Sequence, residues 1–233
     1  MIEQGSEEWF RQRLGKVTAS RIADVKSAGV GRKNYMTQLI VERMTGNVPE
    51  SYTNAAMQWG TDTEPLARSH YEFMNDVVVK PCGFVDHPKI KMAGASPDGE
   101  LPNNGGIEIK CPNTATHLDS LLSESGKPPM KYQHQMNWQM ACTGWDFIDW
   151  VSYDPRLSEK HQMLVIRFER DDTTILDLEE QVIEFIEDGQ HLDMDKFIQL
   201  IHAKGLKVGI FPISEDSWKD VGEWHEYNNT IQS

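Results

Sequence analysis

The chain has 233 residues and a formal net charge of −13, and its hydrophobic and charged fractions, 39% and 25%, are ordinary for a soluble globular protein. The negative charge argues against a protein that coats nucleic acid non-specifically, and no apolar run approaches the roughly 18 residues of a membrane span. Three widely separated cysteines exclude a disulfide framework. Because no signal-peptide pattern follows Met1, we expect a cytoplasmic protein with no membrane partner.

The charge is unevenly distributed along the chain. Residues 1–50 carry eight Lys or Arg against six Asp or Glu, whereas residues 167–233 carry six against sixteen. A polyanion would therefore meet the N-terminal third of the chain, and the acidic C-terminal third would face away from it.

Two short helices are predicted at the start of the chain. Ser6 caps a helix that Gly15 ends, and Thr18 opens a second one. The free N–H groups of this second helix and the hydroxyls of Thr18 and Ser20 could bind an anion, to which Arg13 would add a fork-shaped donor. An ordinary helix cap is the alternative explanation of the same residues.

The next segment, residues 29–33, contains two glycines and two basic residues, Arg32 and Lys33. It is predicted to be a basic loop that could touch a nucleic-acid backbone, and the alternative is a solvated turn. Asn34 then caps a helix that ends at Gly46.

A longer helical pattern covers residues 54–74, where Gly60 and Pro65 predict a break or a kink. Glu64 lies in helical register with the inward-facing residues of this segment. It is therefore either a salt-bridged helix residue or a further metal ligand.

Strand patterns follow. Three short strands are predicted, at residues 77–79, 83–85 and 90–93. The last of them continues into Ser96-Pro97-Asp98, and turn residues at 102–106 with apolar flanks predict a β-hairpin that leads into Glu108-Ile109-Lys110.

Helices and strands alternate in the remainder of the chain. Helices are predicted at residues 115–123, 130–142 and 172–188, and strands at residues 146–153 and 162–169. After residue 193 the pattern predicts a short helix, a Gly-rich segment and an acidic, aromatic tail.

The hairpin carries the residue types of a divalent-metal site. Residues two apart on a strand point to the same face, so Glu108 and Lys110 project together with the carbonyl of Ile109 between them. A bend at Pro97 could bring Asp98 alongside. These hard oxygen ligands suit Mg²⁺ or Mn²⁺, and the lysine could orient or deprotonate an attacking water because a nearby cation and partial burial lower an ammonium pKa.

The reaction class that this site indicates is phosphodiester hydrolysis. The structural alternative is a common Pro-Asp-Gly turn beside an exposed Glu-x-Lys pair. The eight histidines lack metal-ligand spacing, which disfavours a zinc hydrolase, and the sequence contains no P-loop or dinucleotide fingerprint.

In their order, these motifs resemble the PD-(D/E)xK nuclease core and, more closely, the lambda exonuclease family with its YqaJ-type viral recombinase relatives. The matching strings cover roughly residues 3–190 and are Glu3-Gln4-Gly5 with Trp9, Arg13-Leu14-Gly15, Thr18-Ala19-Ser20, Trp59-Gly60 with Glu64, Ser96-Pro97-Asp98-Gly99, Glu108-Ile109-Lys110-Cys111-Pro112, Tyr132 with Gln135, and Tyr153-Asp154-Pro155-Arg156. The resemblance implies an α/β fold with a restriction-endonuclease-like core, in which a central mixed β-sheet is flanked by helices. This domain would span residues 1–195, with a helical, acidic extension at 196–233.

The resemblance also implies an activity. The family degrades the 5′-phosphorylated strand of duplex DNA ends in the 5′→3′ direction and leaves a 3′ single strand for annealing recombination. By analogy we expect two Mg²⁺ ions, with Mn²⁺ as an alternative metal. A homotrimeric ring around DNA and a single-strand annealing protein are the expected partners, in a bacterial host that carries the protein on a phage or prophage.

Residue roles follow from the same resemblance. Asp98, Glu108 and the Ile109 carbonyl would hold one metal ion, Glu64 would help to hold metal, and Lys110 would act on the attacking water. Three residues match the positions that receive the terminal 5′-phosphate, namely Arg13, Ser20 and Ser96.

Three further positions match residues near the DNA in this family. Gln135 matches a glutamine that lies near the active site. Met57 stands where relatives use a leucine as a strand-separating wedge, and Arg32 aligns with an arginine that enters a DNA groove.

Other functions stay open on the sequence. A restriction-type or repair endonuclease would share the metal site but cut internally. A non-catalytic DNA-binding module could keep the same fold, and a metal-buffering acidic protein would cleave no phosphodiester bond.

Overall fold

The computed structural model describes residues 4–47 and 54–190 of the chain. The predicted extension at 196–233 therefore lies outside the described residues. Within them the α-helices are α1 (Glu7–Arg13), α2 (Ile22–Lys26), α3 (Val30–Thr45), α4 (Ala55–Asn75), α5 (Thr114–Leu121), α6 (Met130–Thr143) and α7 (Asp172–Gln190). The strands are β1 (Val17–Thr18), β2 (Val85–Asp86), β3 (Ala93–Ala95), β4 (Gly99–Leu101), β5 (Gly105–Lys110), β6 (Phe147–Tyr153) and β7 (Met163–Glu169).

The strands form two sheets. The smaller sheet has the order β1-β3-β2, with β1 parallel and β2 antiparallel to β3. The larger sheet has the order β4-β5-β6-β7, in which β5 and β6 are parallel and the outer pairs are antiparallel. The predicted α/β fold with a mixed sheet is confirmed.

The two central strands of the larger sheet are covered on both faces. All seven residues of β6 are buried, as are five of the six residues of β5. Parallel neighbours are usually buried in this way, because helices cover both faces of such a sheet. The strand that carries Glu108 therefore lies in the interior.

Local capping signals place several helix ends as predicted. The Ser6 hydroxyl accepts a 3.3 Å hydrogen bond from the N–H of Trp9 at the start of α1. Gly46 ends α3 with a φ of +65°, a left-handed conformation that favours glycine. Asn54 caps α4 by accepting a 2.9 Å bond from the N–H of Met57.

The predicted basic loop at residues 29–33 is wrong, because Val30 to Lys33 form the first turn of α3. Arg32 holds this turn by donating to the Val25 carbonyl at 2.7 Å and to Oδ2 of Asp188 at 3.0 Å. These tertiary contacts stabilise a helical start that the local sequence does not favour.

Helix α4 continues unbroken from residue 55 to residue 75, so the predicted break at Gly60 or Pro65 does not occur. One face of the helix is buried. Tyr71, on that face, donates a 2.7 Å hydrogen bond to Oδ2 of Asp149 on β6, and Arg167 of β7 donates two further bonds to the same carboxylate. Helix α4 is thereby anchored to the larger sheet.

The strand predictions before the hairpin are only partly correct. Residues 77–79 are not a strand, and an isolated bridge between Lys80 and Glu100 stands in its place. The strand predicted at 83–85 is the short β2, and the one at 90–93 lies slightly later as β3. Within the described ranges, none of the helices combines the length and apolar character needed to cross a bilayer.

Candidate active site

The β4–β5 hairpin brings Asp98 and Glu108 together. Gly99 pairs with Ile107, and these two residues directly adjoin Asp98 and Glu108 in the sequence. Oδ2 of Asp98 accepts a 2.7 Å hydrogen bond from the backbone N–H of Ile109, the residue after Glu108. Asp98 and Glu108 therefore lie close enough for the charge of Glu108 to act on Asp98.

The turn chemistry of the hairpin explains this geometry. Asn103 and Asn104 have φ values of +63° and +59°, a left-handed region that asparagine tolerates better than most residues. Gly106 then allows β5 to pack closely, since a Cβ at this position would lie 2.2 Å from the ring of Trp145. The Asn and Gly residues of the turn thus set the register that aligns the two acids.

The Glu108 carboxylate is almost fully buried, with 1% of its side chain exposed. Its Oε1 forms a close ion pair with Nζ of Lys110 and accepts a 2.6 Å hydrogen bond from Nε2 of Gln135. Its Oε2 accepts a 2.6 Å bond from Nε2 of Gln139. Three donors on two elements, β5 and α6, therefore hold this carboxylate.

Electrostatics at the site are dominated by the acids. Burial and, next, the negative charges of Glu108 and Glu64 raise the pKa of Asp98 well above its ordinary value. Burial tends to lower the pKa of Lys110, but Glu108 and Asp98 outweigh it and raise that pKa. The lowering predicted for a lysine beside a bound metal ion stays a prediction, because these two carboxylates set the direction in the chain alone.

Glu64 approaches the hairpin from α4. Its Oε1 accepts a 2.9 Å hydrogen bond from Nη2 of Arg68 one turn later, and its charge acts on Asp98. The salt-bridged role that the sequence offered as one alternative is present. Its proximity to Asp98 leaves the role of metal ligand as a prediction.

A cleft of about 910 Å³ opens beside these acids. Its walls include Asp98 and Glu64 together with Arg68 and, at the N-terminal end of the chain, Trp9. The cleft thus joins the acidic site to the first helix.

Arg13 and Ser96, two of the predicted phosphate contacts, touch each other. Nη1 of Arg13 and Nε1 of Trp9 each donate a 3.0 Å hydrogen bond to the Ser96 hydroxyl, and the guanidinium stacks 3.9 Å from the centroid of a Trp9 ring. Ser20, the third predicted contact, is exposed on the 3₁₀-helix Ala19–Arg21. The structure brings two of the three residues together.

The two remaining DNA-contact predictions lie on helices. Met57 is in the first turn of α4 with 54% of its surface exposed. Arg32 donates hydrogen bonds to Val25 and Asp188, and its guanidinium lies 5.0 Å from the ring centroid of Phe185. Their roles toward DNA stay predictions.

Several residues that organise the site were not assigned a role from the sequence. Gln139, like Gln135, donates a hydrogen bond to the Glu108 carboxylate. The sequence indicated this only through the spacing of four between the two glutamines on a predicted helix, which places them on one face. Arg156 stacks 4.3 Å from the centroid of a Trp59 ring and binds the buried Asp154 through two nitrogens. It thereby ties the end of β6 to the start of α4.

The donor set suits a hard divalent cation. Asp98, Glu108 and Glu64 supply carboxylate oxygens, and their negative charge exceeds what Lys110 and Arg68 offset. Among residues 4–47 and 54–190, no three His, Cys, Asp or Glu side chains form a ready-made metal cluster, and protein donors engage these carboxylates. The residues therefore fit a metal ion by chemistry and charge.

Several known proteins are similar to this chain. The profile of the YqaJ-like viral recombinase domain matches residues 8–146. LHK-Exo, an alkaline exonuclease from Laribacter hongkongensis, matches in its crystal structure with a TM-score of 0.76 and 46% identity, over 85% of this chain and 99% of that one. Its complex with dAMP matches with a TM-score of 0.76 and 45% identity, over 86% and 98%. The predicted restriction-endonuclease-like core is confirmed by these matches.

Two further proteins match this chain at lower identity. A phage-related exonuclease from Haemophilus somnus 129PT has a TM-score of 0.60 and 15% identity, over 78% of this chain and 96% of that one, which shows likeness of fold alone. Uncharacterized protein R354 of Acanthamoeba polyphaga mimivirus is 27% identical over 161 residues, which are 64% of this chain. The match spans only 29% of the length of that viral protein.

Proposed function

The chain belongs to the YqaJ-like viral recombinase domain family, as its motifs predicted, and on this premise we propose that it is a metal-dependent 5′→3′ exonuclease of duplex DNA ends. It hydrolyses the phosphodiester bonds of the 5′-phosphorylated strand and leaves a 3′ single-stranded overhang for annealing recombination. The observation that carries this proposal is the bond from the Ile109 N–H to Asp98, which sets that acid against the strand of Glu108.

The metal would be held by carboxylates of the hairpin and of α4. Asp98, Glu108 and the Ile109 carbonyl would hold one Mg²⁺ or Mn²⁺ ion, and Glu64 would help to hold a second. Such ions stabilise charge on the phosphate oxygens and lower the pKa of water.

Besides the metal ions, the Lys110 ammonium places a positive charge at the site. Its ammonium contacts Glu108 and lies 5.4 Å from the ring centroid of Tyr132, which narrows its range of positions. Lys110 orients or deprotonates the attacking water, and its ammonium form stabilises charge that develops on the phosphate. Gln135 donates to Oε1 of Glu108 and is only half-buried, so it can also contact a bound substrate.

The Arg13 and Ser96 pair provides the receptor for the terminal 5′-phosphate, together with Ser20. A guanidinium fork and a hydroxyl are strong donors to phosphate oxygens. Because Trp9 belongs both to this cluster and to the wall of the cleft beside Asp98, a phosphate bound here would fix which phosphodiester bond reaches the acids. Each cut would regenerate a 5′-phosphate for the next one.

The net charge of −13 gives this protein little electrostatic hold on DNA, so processive cutting requires enclosure of the duplex. A homotrimeric ring would supply it, with Met57 separating the strands and Arg32 entering a groove. A single-strand annealing protein would receive the 3′ strand in the cytoplasm of the phage-bearing host.

A time course on a linear duplex with a 5′-phosphate on one end only tests the proposal. We expect ordered loss of that single strand with Mg²⁺ or Mn²⁺, and no loss with chelator. Cleavage of covalently closed circles would instead indicate an endonuclease. Absence of any cleavage would leave a non-catalytic or metal-buffering protein.

Variants of the acidic site complete the test. Glu108→Ala and Lys110→Ala should abolish hydrolysis while binding to duplex ends, measured by fluorescence anisotropy, is largely retained. A non-catalytic DNA-binding module would show no difference between these variants and the wild type.

A further inference from the structure

We infer that Gln139 is a positioning residue that fixes the orientation of the Glu108 carboxylate for metal binding. The inference rests on the proposed function, because it concerns how one metal ligand is held. Gln139 is distinct from Gln135, which the sequence had already placed near the site.

The geometry is that of a two-pronged clasp. Gln135 and Gln139 are one turn apart on α6 and so project from the same face of the helix. Each donates an Nε2–H at 2.6 Å to a different oxygen of Glu108, Gln135 to Oε1 and Gln139 to Oε2. With both oxygens held from one rigid helix, the carboxylate plane cannot rotate freely.

Burial separates the roles of the two amides. Gln139 has 0% of its surface exposed, whereas Gln135 is partly exposed. Gln139 therefore cannot touch DNA or an attacking water, and its effect on catalysis must pass through Glu108.

Gln139 also carries an unsatisfied polar atom. Its Oε1 is buried and, among the described residues, accepts no hydrogen bond. A buried acceptor without a donor is destabilising, so stability alone does not favour an amide at this position. What favours a glutamine here is the hydrogen bond that its Nε2–H donates to Glu108.

The neutral charge of the clasp also matters. A lysine or arginine at position 139 would satisfy Oε2 as well, but it would offset the negative charge that attracts a cation. The amide fixes the carboxylate and leaves its charge intact. Gln139 donates to Oε2 in the interior, and Lys110 and Gln135 contact Oε1, so each oxygen of Glu108 is held by at least one donor of the chain.

The test uses the full chain with two variants and a matched control. Gln139→Met keeps an unbranched side chain of similar volume without the donor, and Gln139→Leu removes the donor with a second apolar side chain of different shape. The control is Gln133→Met, on the same helix, which removes an amide that donates at 2.6 Å to the Pro128 carbonyl instead.

Binding of Mn²⁺ is measured by titration calorimetry without DNA, and exonuclease rates are measured against Mg²⁺ concentration. Loss of an outer partner of a metal ligand typically weakens metal affinity about 10–100-fold. We expect this loss in both Gln139 variants, with a matching rise in the Mg²⁺ concentration for half-maximal rate and an unchanged KM for DNA. The control should match the wild type.

The possible outcomes separate the two proposals. Mn²⁺ affinity within twofold of the wild type in either folded Gln139 variant, with folding checked by thermal unfolding in chelator, overturns the role of Gln139. A wild type that binds Mn²⁺ but degrades no DNA overturns the proposed function while the calorimetry still decides on Gln139. A wild type that binds no Mn²⁺ overturns both.

Discussion

Nη1 of Arg13 donates a 3.0 Å hydrogen bond to the hydroxyl of Ser96, although 83 positions separate the two residues. The Trp9 indole donates to the same oxygen and stacks on the guanidinium, so the arginine fork is held in one orientation. Because burial desolvates this guanidinium, a phosphate that reaches it would bind without first displacing a full hydration shell.

Replacement of Arg13 by alanine tests the phosphate receptor. We expect kcat/KM on 5′-phosphorylated ends to fall about tenfold to hundredfold, since a hydrogen bond to a charged group contributes about 1.5–3 kcal/mol. Rates on 5′-hydroxyl ends should change little, so the preference for phosphorylated ends should shrink. The measurement compares the two substrates in parallel.

Arg11→Ala is the matched control for this experiment. Arg11 lies on the same helix but is exposed and ion-paired with Glu7, so its loss should leave the preference unchanged. An equal fall on both kinds of end in the Arg13 variant would contradict the role in phosphate binding.

Asp98→Asn should separate stability from activity. The raised pKa of Asp98 means that folding disfavours its ionised form, so its contribution to the free energy of unfolding worsens as pH rises above the ordinary carboxyl range. At neutral pH in chelator we therefore expect the asparagine variant to gain about 0.5–2 kcal/mol while losing nearly all hydrolysis. Urea unfolding and the end-degradation assay measure the two effects.

Asp119→Asn, which changes an exposed acid on α5, provides the control and should alter neither quantity. A destabilised Asp98→Asn variant would show that its bond from the Ile109 N–H outweighs the repulsion among the acids.

The hairpin and the helix caps could be predicted because their causes are local. Asn103 and Asn104 impose the turn, and the register of the hairpin then brings Asp98 near Glu108. The start of α3 could not be predicted, since its first turn is stabilised by the bond from Arg32 to Asp188, which is 156 positions away. Where a distant contact outweighs a weak local preference, a single sequence carries no signal of it.

The same distinction explains what was found of the site. The acids were recognisable from residue type and spacing, and the lysine beside them was also expected. The sign of the lysine pKa shift was not predictable, because it depends on how closely Glu108 and Asp98 approach Nζ in the folded chain. The hydrogen bond from Gln139 to Glu108 likewise depends on how α6 packs against β5.

Tyr71→Phe tests the anchoring of α4. The hydroxyl of Tyr71 donates at 2.7 Å to the buried Asp149, and removal of a hydrogen bond to a charged group should cost about 1.5–3 kcal/mol of unfolding free energy. Arg167 keeps two bonds to Asp149, so the fold should persist. Because Glu64 lies on the same helix two turns earlier, we also expect a modest fall in kcat. Unchanged stability in urea would contradict the anchoring role.

Asp154→Asn gives a prediction with a defined pH window. The hydrogen bonds from Arg156 and, more weakly, from Thr114 lower the pKa of Asp154 to about 2 from the ordinary value of 3.8, although burial opposes the shift. A lowered acid pKa contributes stability that is fully present above the unfolded-state value and is lost as pH falls through the folded-state value. We therefore expect the variant to lose about 2 kcal/mol at neutral pH, and the difference from the wild type to fall to about half by pH 3. Urea unfolding between pH 7 and pH 3 measures the difference in unfolding free energy. A difference that stays constant over this range would show that Asp154 contributes to stability through the packing of its carboxyl group and not through its charge.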